Sequence, residues 1–207
     1  MRTASALVIA CVGCAHPAPP PAVTNQAPIT AAAYEPVLER GCEAGKPVPF
    51  GPGVTVAVAT CTVEVKPEPP PSTLSTTDRK AQLVLHGQRP EPFDLGTWND
   101  GWEWGGSWDI VGVLSQPNGN AVLVMASGYS EDTHHSILHA YAIAGGAWHE
   151  VAAAISADDI RVDVAADGHG ATVSYCNGDN GGHVCRDTPG ELHVANLAWD
   201  GRAVVQK

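Results

Sequence analysis

The segment from residue 131 to residue 139 carries the residue types that bind transition metals. Its candidate ligands are Asp132, His134, His135 and His139, because imidazole and carboxylate are common ligands of Zn²⁺ and similar ions. His135 and His139 have an HxxxH spacing, which aligns two ligands on a helix, but this segment has the pattern of a loop that enters a strand. No HExxH motif accompanies it. We expect a solvated loop here, with a metal-dependent enzyme as an alternative function.

Four of the six tryptophans lie within eleven residues, at Trp98, Trp102, Trp104 and Trp108. Flat rings flanked by acidic residues suit the stacking of sugar rings or the lining of a peptide groove, and nearby glycines let the backbone approach a ligand closely. The same rings could fill the core of a domain that has only two phenylalanines. We expect the core role, with a carbohydrate-binding module as the alternative.

Other motifs argue against catalysis. The segment from Asn177 to Gly182 resembles a calcium loop superficially, but it lacks the bidentate Glu that completes such a loop. The sequence contains no phosphate-binding loop, no nucleophile elbow and no dinucleotide fingerprint. We therefore expect no evident catalytic activity and no cofactor.

Outside the N-terminal segment the chain has four cysteines, Cys42, Cys61, Cys176 and Cys185. An even number is typical of a disulfide framework, and the spacings do not fit a zinc ribbon. Four cysteines allow three pairings. The simplest is local, Cys42 with Cys61 and Cys176 with Cys185, so that the second bond closes the Gly-rich loop.

The first residues have the features of an export signal. Arg2 precedes an apolar stretch from Ala4 to Gly13, and a Pro- and Ala-rich run follows. The residues before Cys11 and Cys14, Val8-Ile9-Ala10 and Val12-Gly13, resemble the lipobox of bacterial lipoproteins, in which a lipidated cysteine becomes the mature N-terminus. The resemblance implies lipidation at Cys14 or Cys11, and the length of the apolar stretch favours Cys14.

The lipoprotein resemblance also implies a location. The residue after the lipidated cysteine would be Ala15 or Val12, and neither is the Asp that retains such proteins at the inner membrane, so we expect the outer membrane, on its periplasmic or surface side. Residues 1–14 would be the signal peptide, residues 15–33 an extended tether and residues 34–207 an extracytoplasmic domain.

The charge balance excludes one class of partner. The chain has 11 Lys and Arg against 22 Asp and Glu, a net charge of −11, whereas nucleic-acid binding needs a basic face. The expected partners are the membrane, through the lipid, and a protein or glycan of the cell envelope. The predicted function is that of an exported, lipid-anchored envelope protein with a β-rich binding domain.

The domain itself has a period-two apolar pattern that predicts strands. Eight such runs occur, at 55–65, 80–86, 109–115, 121–127, 137–144, 160–165, 171–176 and 192–199. Turn-forming dipeptides separate several of them and favour hairpins, at Asn118-Gly119, Gly145-Gly146, Asp167-Gly168 and Asp200-Gly201. Only residues 151–156 suggest a helical turn.

An internal repeat is also visible. Three matches have an offset of 50 residues and one has an offset of 54, namely Asp109-Ile110 with Asp159-Ile160, Ala121 with Ala171, Gly128 with Gly178, and Leu138-His139 with Leu192-His193. A worn first copy would run from Cys42 to Leu95, with Cys61 near the position of Cys176. We predict an all-β fold of antiparallel meanders in repeats of about 50 residues, either a propeller-like stack or a β-sandwich, with a trefoil-like barrel as the alternative.

Overall fold

The computed structural model describes residues 34–67, 75–100, 104–130, 133–176 and 192–207. Within these ranges the chain forms fourteen strands and no helix. In chain order the strands are β1 (Cys42–Ala44), β2 (Val48–Gly51), β3 (Val54–Pro67), β4 (Ser75–His86), β5 (Phe93–Asp100), β6 (Trp104–Gln116), β7 (Gly119–Ser130), β8 (Thr133–Ala144), β9 (Ala147–Glu150), β10 (Ile155–Ala157), β11 (Asp159–Val164), β12 (Gly170–Cys176), β13 (His193–Trp199) and β14 (Val204–Gln206).

The strands form three antiparallel sheets, and each sheet uses strands that are consecutive in the chain. The first sheet has the order β1-β3-β4-β5, with β2 also beside β3. The second has the order β10-β8-β7-β6, with β9 also beside β8, and the third has the order β11-β12-β13-β14. The prediction of an all-β fold of antiparallel meanders is confirmed. The meanders pack as a sandwich-type stack of three sheets rather than as a trefoil-like barrel.

The second sheet lies between the other two and contributes side chains to both hydrophobic cores. On β7 the side chains of Val122 and Val124 join the core against the first sheet, whereas those of Ala121 and Leu123 join the core against the third sheet. All four are fully buried. Successive side chains of a strand point to opposite faces, so the apolar run of β7 serves two interfaces at once.

The repeat is visible in the second and third sheets. Ile110 and Ile160 lie on their first strands, and His139 and His193 lie on their third strands. In the second sheet Ile110 pairs with Val124 and Val124 with His139, and in the third sheet Ile160 pairs with Tyr175 and Tyr175 with His193. The two histidines therefore occupy corresponding positions in the strand register.

The match of Ala121 with Ala171 does not correspond to equivalent positions in the structure. Ala121 and Ala171 both pack into the core between the second and third sheets, so they point in opposite directions within the stack. The strand registers explain the shift, because β6 has a bulge between Ile110 and Gly112 whereas β11 pairs with β12 without one, and the β11–β12 turn is longer than the β6–β7 turn. The two sheets therefore correspond strand by strand, but not at every residue.

The predicted helical turn at residues 151–156 is wrong. The backbone amide of Val151 donates to the carbonyl of Ala140 at 2.8 Å, and the carbonyl of Val151 accepts from the amide of Val204 at 2.8 Å. The chain then enters β10 at Ile155. Alanines favour helix locally, but strands β8 and β14 supply the backbone hydrogen bonds that a helix would otherwise make, and this tertiary context decides the conformation.

Candidate functional site

Residues 34–40, which we call the strap, run along the outer face of the first sheet. The carbonyl of Tyr34 accepts a hydrogen bond from the amide of Gly87 at 2.9 Å, and its hydroxyl donates to Glu91 at 2.9 Å. Glu35 pairs with His86 at 3.0 Å. The first described residues of the domain are therefore fixed to the end of β4 and to the loop that follows it.

A closed polar cluster joins the strap to the sheet. Lys80 and Gln82 lie two residues apart on β4, so their side chains share one face. The Lys80 ammonium lies 3.1 Å from Glu39 Oε1 and 3.1 Å from Asp94 Oδ1. The amide nitrogen of Gln82 donates to the same two oxygens, at 3.2 Å and 2.7 Å. Two donors and two carboxylates thus satisfy one another in a ring.

The cluster shifts the ionisation of two of its members. Hydrogen bonds to Glu39 and then to Asp94 raise the pKa of the Lys80 ammonium above its usual value. The hydrogen bond from Gln82, followed by that from Lys80, lowers the pKa of the Asp94 carboxyl. Both shifts favour the charged forms of Lys80 and Asp94, so these two groups stabilise each other as an ion pair.

The cluster forms one wall of a groove of about 450 Å³, which we call the carboxylate groove. Its lining residues are Val37, Glu39, Gln82, Pro92, Phe93 and Asp94. The Glu39 and Asp94 side chains are exposed, at 64% and 63%, and Val37 is 85% exposed. The groove can hold a cationic group against its carboxylates and an apolar stem against its aliphatic and aromatic wall. None of these six described lining residues is a serine, cysteine or histidine.

The tryptophan-rich segment crosses from the first sheet to the second. Trp98 lies on β5 and Trp108 on β6, and both pack against the core between these sheets. The expected core role is therefore confirmed for these two rings. Trp102 lies outside the described residues, as does the side chain of Trp104, although its backbone opens β6.

The rings of Trp108, His139 and Tyr141 form a row between the first and second sheets. His139 stacks between the other two, with centroid distances of 5.7 Å and 6.0 Å, and its Nδ1 lies 2.7 Å from Glu150 Oε1. Burial and, to a smaller extent, the charge of Glu150 raise the pKa of Tyr141 to about 12. The row therefore holds a neutral phenol and a histidine with one fixed partner.

The candidate metal ligands do not converge in the described part of the chain. His135 lies 3.8 Å from Asp158 and 2.9 Å from the Ser156 hydroxyl, whereas His139 pairs with Glu150. Four residues of extended strand separate the two histidines by about 13 Å, too far to share one ion. Among the described residues no group of three His, Cys, Asp or Glu side chains could hold a metal. Asp132 and the side chain of His134 lie outside these residues.

The cysteine pairing is confirmed where the structure describes it. Cys42 on β1 and Cys61 on β3 are directly opposite in the strand register and form a disulfide. Cys176 is also disulfide-bonded, but Cys185, its predicted partner, lies outside the described residues together with the Gly-rich loop. The candidate lipidation sites Cys11 and Cys14 also lie outside them.

Sequence reasoning missed the polar cluster altogether. Its local signal is the alternation in β4, where Lys80 and Gln82 alternate with the apolar Ala81 and Leu83. Glu39 is 41 positions from Lys80, and no motif links the two. Only the pairing of β4 with β5 and the path of the strap bring the carboxylates to these donors.

No protein-family model, curated protein or solved structure matches the chain. The described residues contain no helix long and apolar enough to cross a bilayer.

Proposed function

We propose that the chain is an exported, lipid-anchored protein of a bacterial cell envelope, whose β domain binds a partner and has no catalytic activity of its own. The Cys42–Cys61 disulfide is the observation that carries the proposal, because disulfides form in oxidising compartments outside the cytosol. In this proposal the lipobox-like residues before Cys11 and Cys14 supply the anchor and residues 15–33 the tether. Neither Val12 nor Ala15, the residue after the lipidated cysteine, is the Asp that retains such proteins at the inner membrane, which supports the outer membrane as the proposed location.

Metabolic labelling tests the anchor. Cells that express the full chain would be fed a radiolabelled or alkyne-bearing palmitate, and the protein would be followed by detergent partitioning. We expect label on the unmodified chain and on Cys11→Ser, and loss of label with release into the aqueous phase for Cys14→Ser. An unlabelled, soluble wild-type protein would refute the lipid anchor.

Within this proposal the carboxylate groove is the binding surface that the geometry favours. It combines two exposed carboxylates, at Glu39 and Asp94, with the exposed aliphatic side chain of Val37. The overall charge of −11 attracts a cationic partner and repels an anionic one. We therefore propose a protein partner that places a Lys or Arg side chain in the groove.

Photo-crosslinking in cells tests the groove. A photoreactive amino acid would replace Val37 in the groove or, as a control, the exposed Val194 on the third sheet. We expect an adduct from position 37 that weakens in a Glu39→Gln/Asp94→Asn background, and little adduct from position 194. Equal adducts from both positions, or an adduct that is indifferent to the two carboxylates, would exclude the groove as the binding surface.

A carbohydrate-binding module remains the second candidate function. Trp98 and Trp108 pack in the core, so a sugar-stacking surface in this segment would depend on Trp102 and Trp104. A glycan array probed with the wild-type protein and with Trp102→Ala tests it. Binding that the variant loses, with an unchanged melting temperature, would favour this function over the protein-binding one.

The metal-dependent enzyme is a third hypothesis, based on Asp132, His134, His135 and His139. Elemental analysis of the purified protein tests it directly. Stoichiometric metal that is lost in a His134→Ala/His135→Ala variant would support it, and a metal-free wild-type protein that takes up no added Zn²⁺ would exclude it.

A further inference from the structure

The carbonyl oxygen of Gln82 faces the Cys42–Cys61 disulfide. Gln82 is 4% exposed, and its Oε1 lies 3.7 Å from Cys61 Sγ and 4.0 Å from Cys42 Sγ. Disulfide sulfurs carry no hydrogen and cannot donate. In the oxidised protein this buried acceptor therefore has no donor from the disulfide, and a buried acceptor that lacks a donor costs free energy.

The orientation of the amide group follows from its other partners. The Gln82 nitrogen donates to the carboxylates of Glu39 and Asp94. A flipped amide would instead turn its oxygen toward these two anions and leave them without their donor. Hydrogen-bond satisfaction therefore fixes the carbonyl toward the sulfurs.

Reduction of the disulfide would give this acceptor a donor on the sulfur side. A thiol on Cys61, which is 3% exposed, would lie next to Gln82 Oε1 and could donate S–H to it. Any interaction that is made only in the reduced state stabilises that state and makes the disulfide easier to reduce. Gln82 thus favours the dithiol form of this pair.

We propose that Cys42–Cys61 is a reversible thiol–disulfide exchange site, whose reaction partner is a dithiol reductant and whose reduced form is stabilised by Gln82. A thiolate of the reductant attacks Cys42 Sγ on the edge strand β1, and the sulfur–sulfur bond breaks with its electron pair on Cys61, which takes up a proton. The second thiol of the reductant then attacks its own sulfur in the mixed disulfide and releases Cys42 as a thiol. The reductant leaves as a disulfide, so two electrons and two protons are transferred.

The structural consequence of reduction lies in the strap. Only three residue pairs join β1 to β3, and Cys42 with Cys61 is the first of them. The exposed Arg40 comes two residues before Cys42, at the end of the strap. Without the covalent bond, this end of the strap can separate from the sheet, and the Arg40–Gly41 peptide bond becomes accessible to trypsin.

Redox titration of the detergent-solubilised full chain tests the role of Gln82. The oxidised fraction would be measured by alkylation and mass spectrometry across a series of dithiothreitol ratios. We expect Gln82→Met, which keeps the side-chain length and lacks the carbonyl, to favour the disulfide by about fivefold, the value of one hydrogen bond. The control Asp94→Asn retains an acceptor for the Gln82 nitrogen and should shift the equilibrium less than twofold, within about the scatter of single hydrogen-bond effects. Equal midpoints for wild type and Gln82→Met would refute the role of Gln82.

Two measurements need no substitution at Gln82. The reduced wild-type protein should keep its β-sheet circular dichroism and be cleaved at Arg40 about tenfold faster than the oxidised form, as expected for local opening of a terminal segment. In Cys42→Ser the Cys61 thiol should show an infrared S–H stretch at the frequency of a hydrogen-bonded thiol. Global unfolding on reduction, unchanged cleavage or a free-thiol frequency would each overturn the proposal, because the bond would then be purely structural.

Discussion

At the level of single residues, the contact between the first and second sheets depends on two glycines that each face a tryptophan of the other sheet. A Cβ on Gly106 of β6 would lie 3.0 Å from Trp98 of β5, and a Cβ on Gly96 of β5 would lie 3.0 Å from Trp108 of β6. Gly106→Ala should therefore force the Trp98 ring to move, and we expect it to lower the free energy of unfolding by about 1–3 kcal/mol.

The matched control for Gly106→Ala is Gly128→Ala on β7. Gly128 is the cross-strand partner of Gly106, but a Cβ added to it would meet nothing within 4 Å. This change should be neutral or raise stability by less than about 1 kcal/mol, since alanine reduces the entropy of the unfolded chain. Urea unfolding compares the two, and equal effects would contradict the close contact at Gly106.

The lowered pKa of the Asp94 carboxyl predicts that the folded protein loses stability in acid. Its pKa is lowered in the folded protein from the ordinary value of 3.8, so its contribution is complete above that value and disappears as the pH falls through the folded pKa. Asp94→Asn should flatten the fall in stability below about pH 4. Urea unfolding across this range measures it, with the exposed Asp163→Asn on β11 as the control. An acid limb unchanged by Asp94→Asn would show that the cluster does not contribute to stability.

Stability should also fall as the pH rises into the alkaline range, and there the residue responsible is Lys80. The pKa of Lys80 is raised in the folded protein above 10.5, so its contribution is complete below that value and is lost as the pH rises through the folded pKa. Lys80→Met should therefore be less sensitive to alkali than the wild-type protein, although less stable at neutral pH. Thermal melts at increasing pH measure the difference, and parallel profiles would contradict it.

At the level of elements, the β8–β9 hairpin turns on Gly145 and Gly146, with φ angles of +59° and +80°. Positive φ at both central residues is typical of a type I′ turn, which favours Asn then Gly. Neither position is crowded, since an added Cβ would meet nothing within 4 Å. Gly146→Ala should cost about 1–2 kcal/mol of backbone strain, whereas Gly145→Asn should change stability by less than about 0.5 kcal/mol. Thermal melts of both variants would check this, and equal costs would exclude this type of turn.

The sequence was sufficient for the elements whose signals are local. Alternation over seven residues or more located β3, β7 and β8, and the Asx-Gly and Gly-Gly dipeptides located the hairpin turns. It did not locate β5, whose tryptophans also fit a ligand platform, nor the short β9 and β10, whose pairing with β8 depends on the length of that distant neighbour. Strands of three or four residues have too few positions to show a period.

The candidate site was less accessible to sequence reasoning, because its contacts are non-local. Cys42 and Cys61 could be paired by proximity in the chain, since a loop of nineteen residues is easily closed. The association of Gln82 with that disulfide could not be anticipated, because it follows from the register of β4 with β3 and from the path of the strap over the same face. The tryptophans are a different case, because the sequence shows that they cluster but does not show which rings pack against glycines.

At the level of the whole molecule, the shared second sheet makes the two cores interdependent. Leu123 faces the third sheet and Val124 the first, from adjacent positions of β7. Leu123→Ala should cost about 2–5 kcal/mol, and the loss should appear in one unfolding transition that includes both cores. Calorimetry tests this through the ratio of calorimetric to van't Hoff enthalpy. Two separate transitions, only one of them shifted, would show that the outer sheets unfold independently.

The position of the strap also determines how the domain would bear mechanical load. In the proposed anchored protein, tension through residues 15–33 would enter at Tyr34. The contacts of Tyr34, of Glu35 with His86 and of Glu39 with Lys80 lie in series along the strap, so they would break one after another as the strap separates from the first sheet. Peeling stops at Cys42, where the bond to Cys61 passes the force directly into β3, the longest strand of the sheet. The disulfide thus separates the strap, which can extend, from the strands, which resist extension. Its redox state would set how far the domain can be extended under tension.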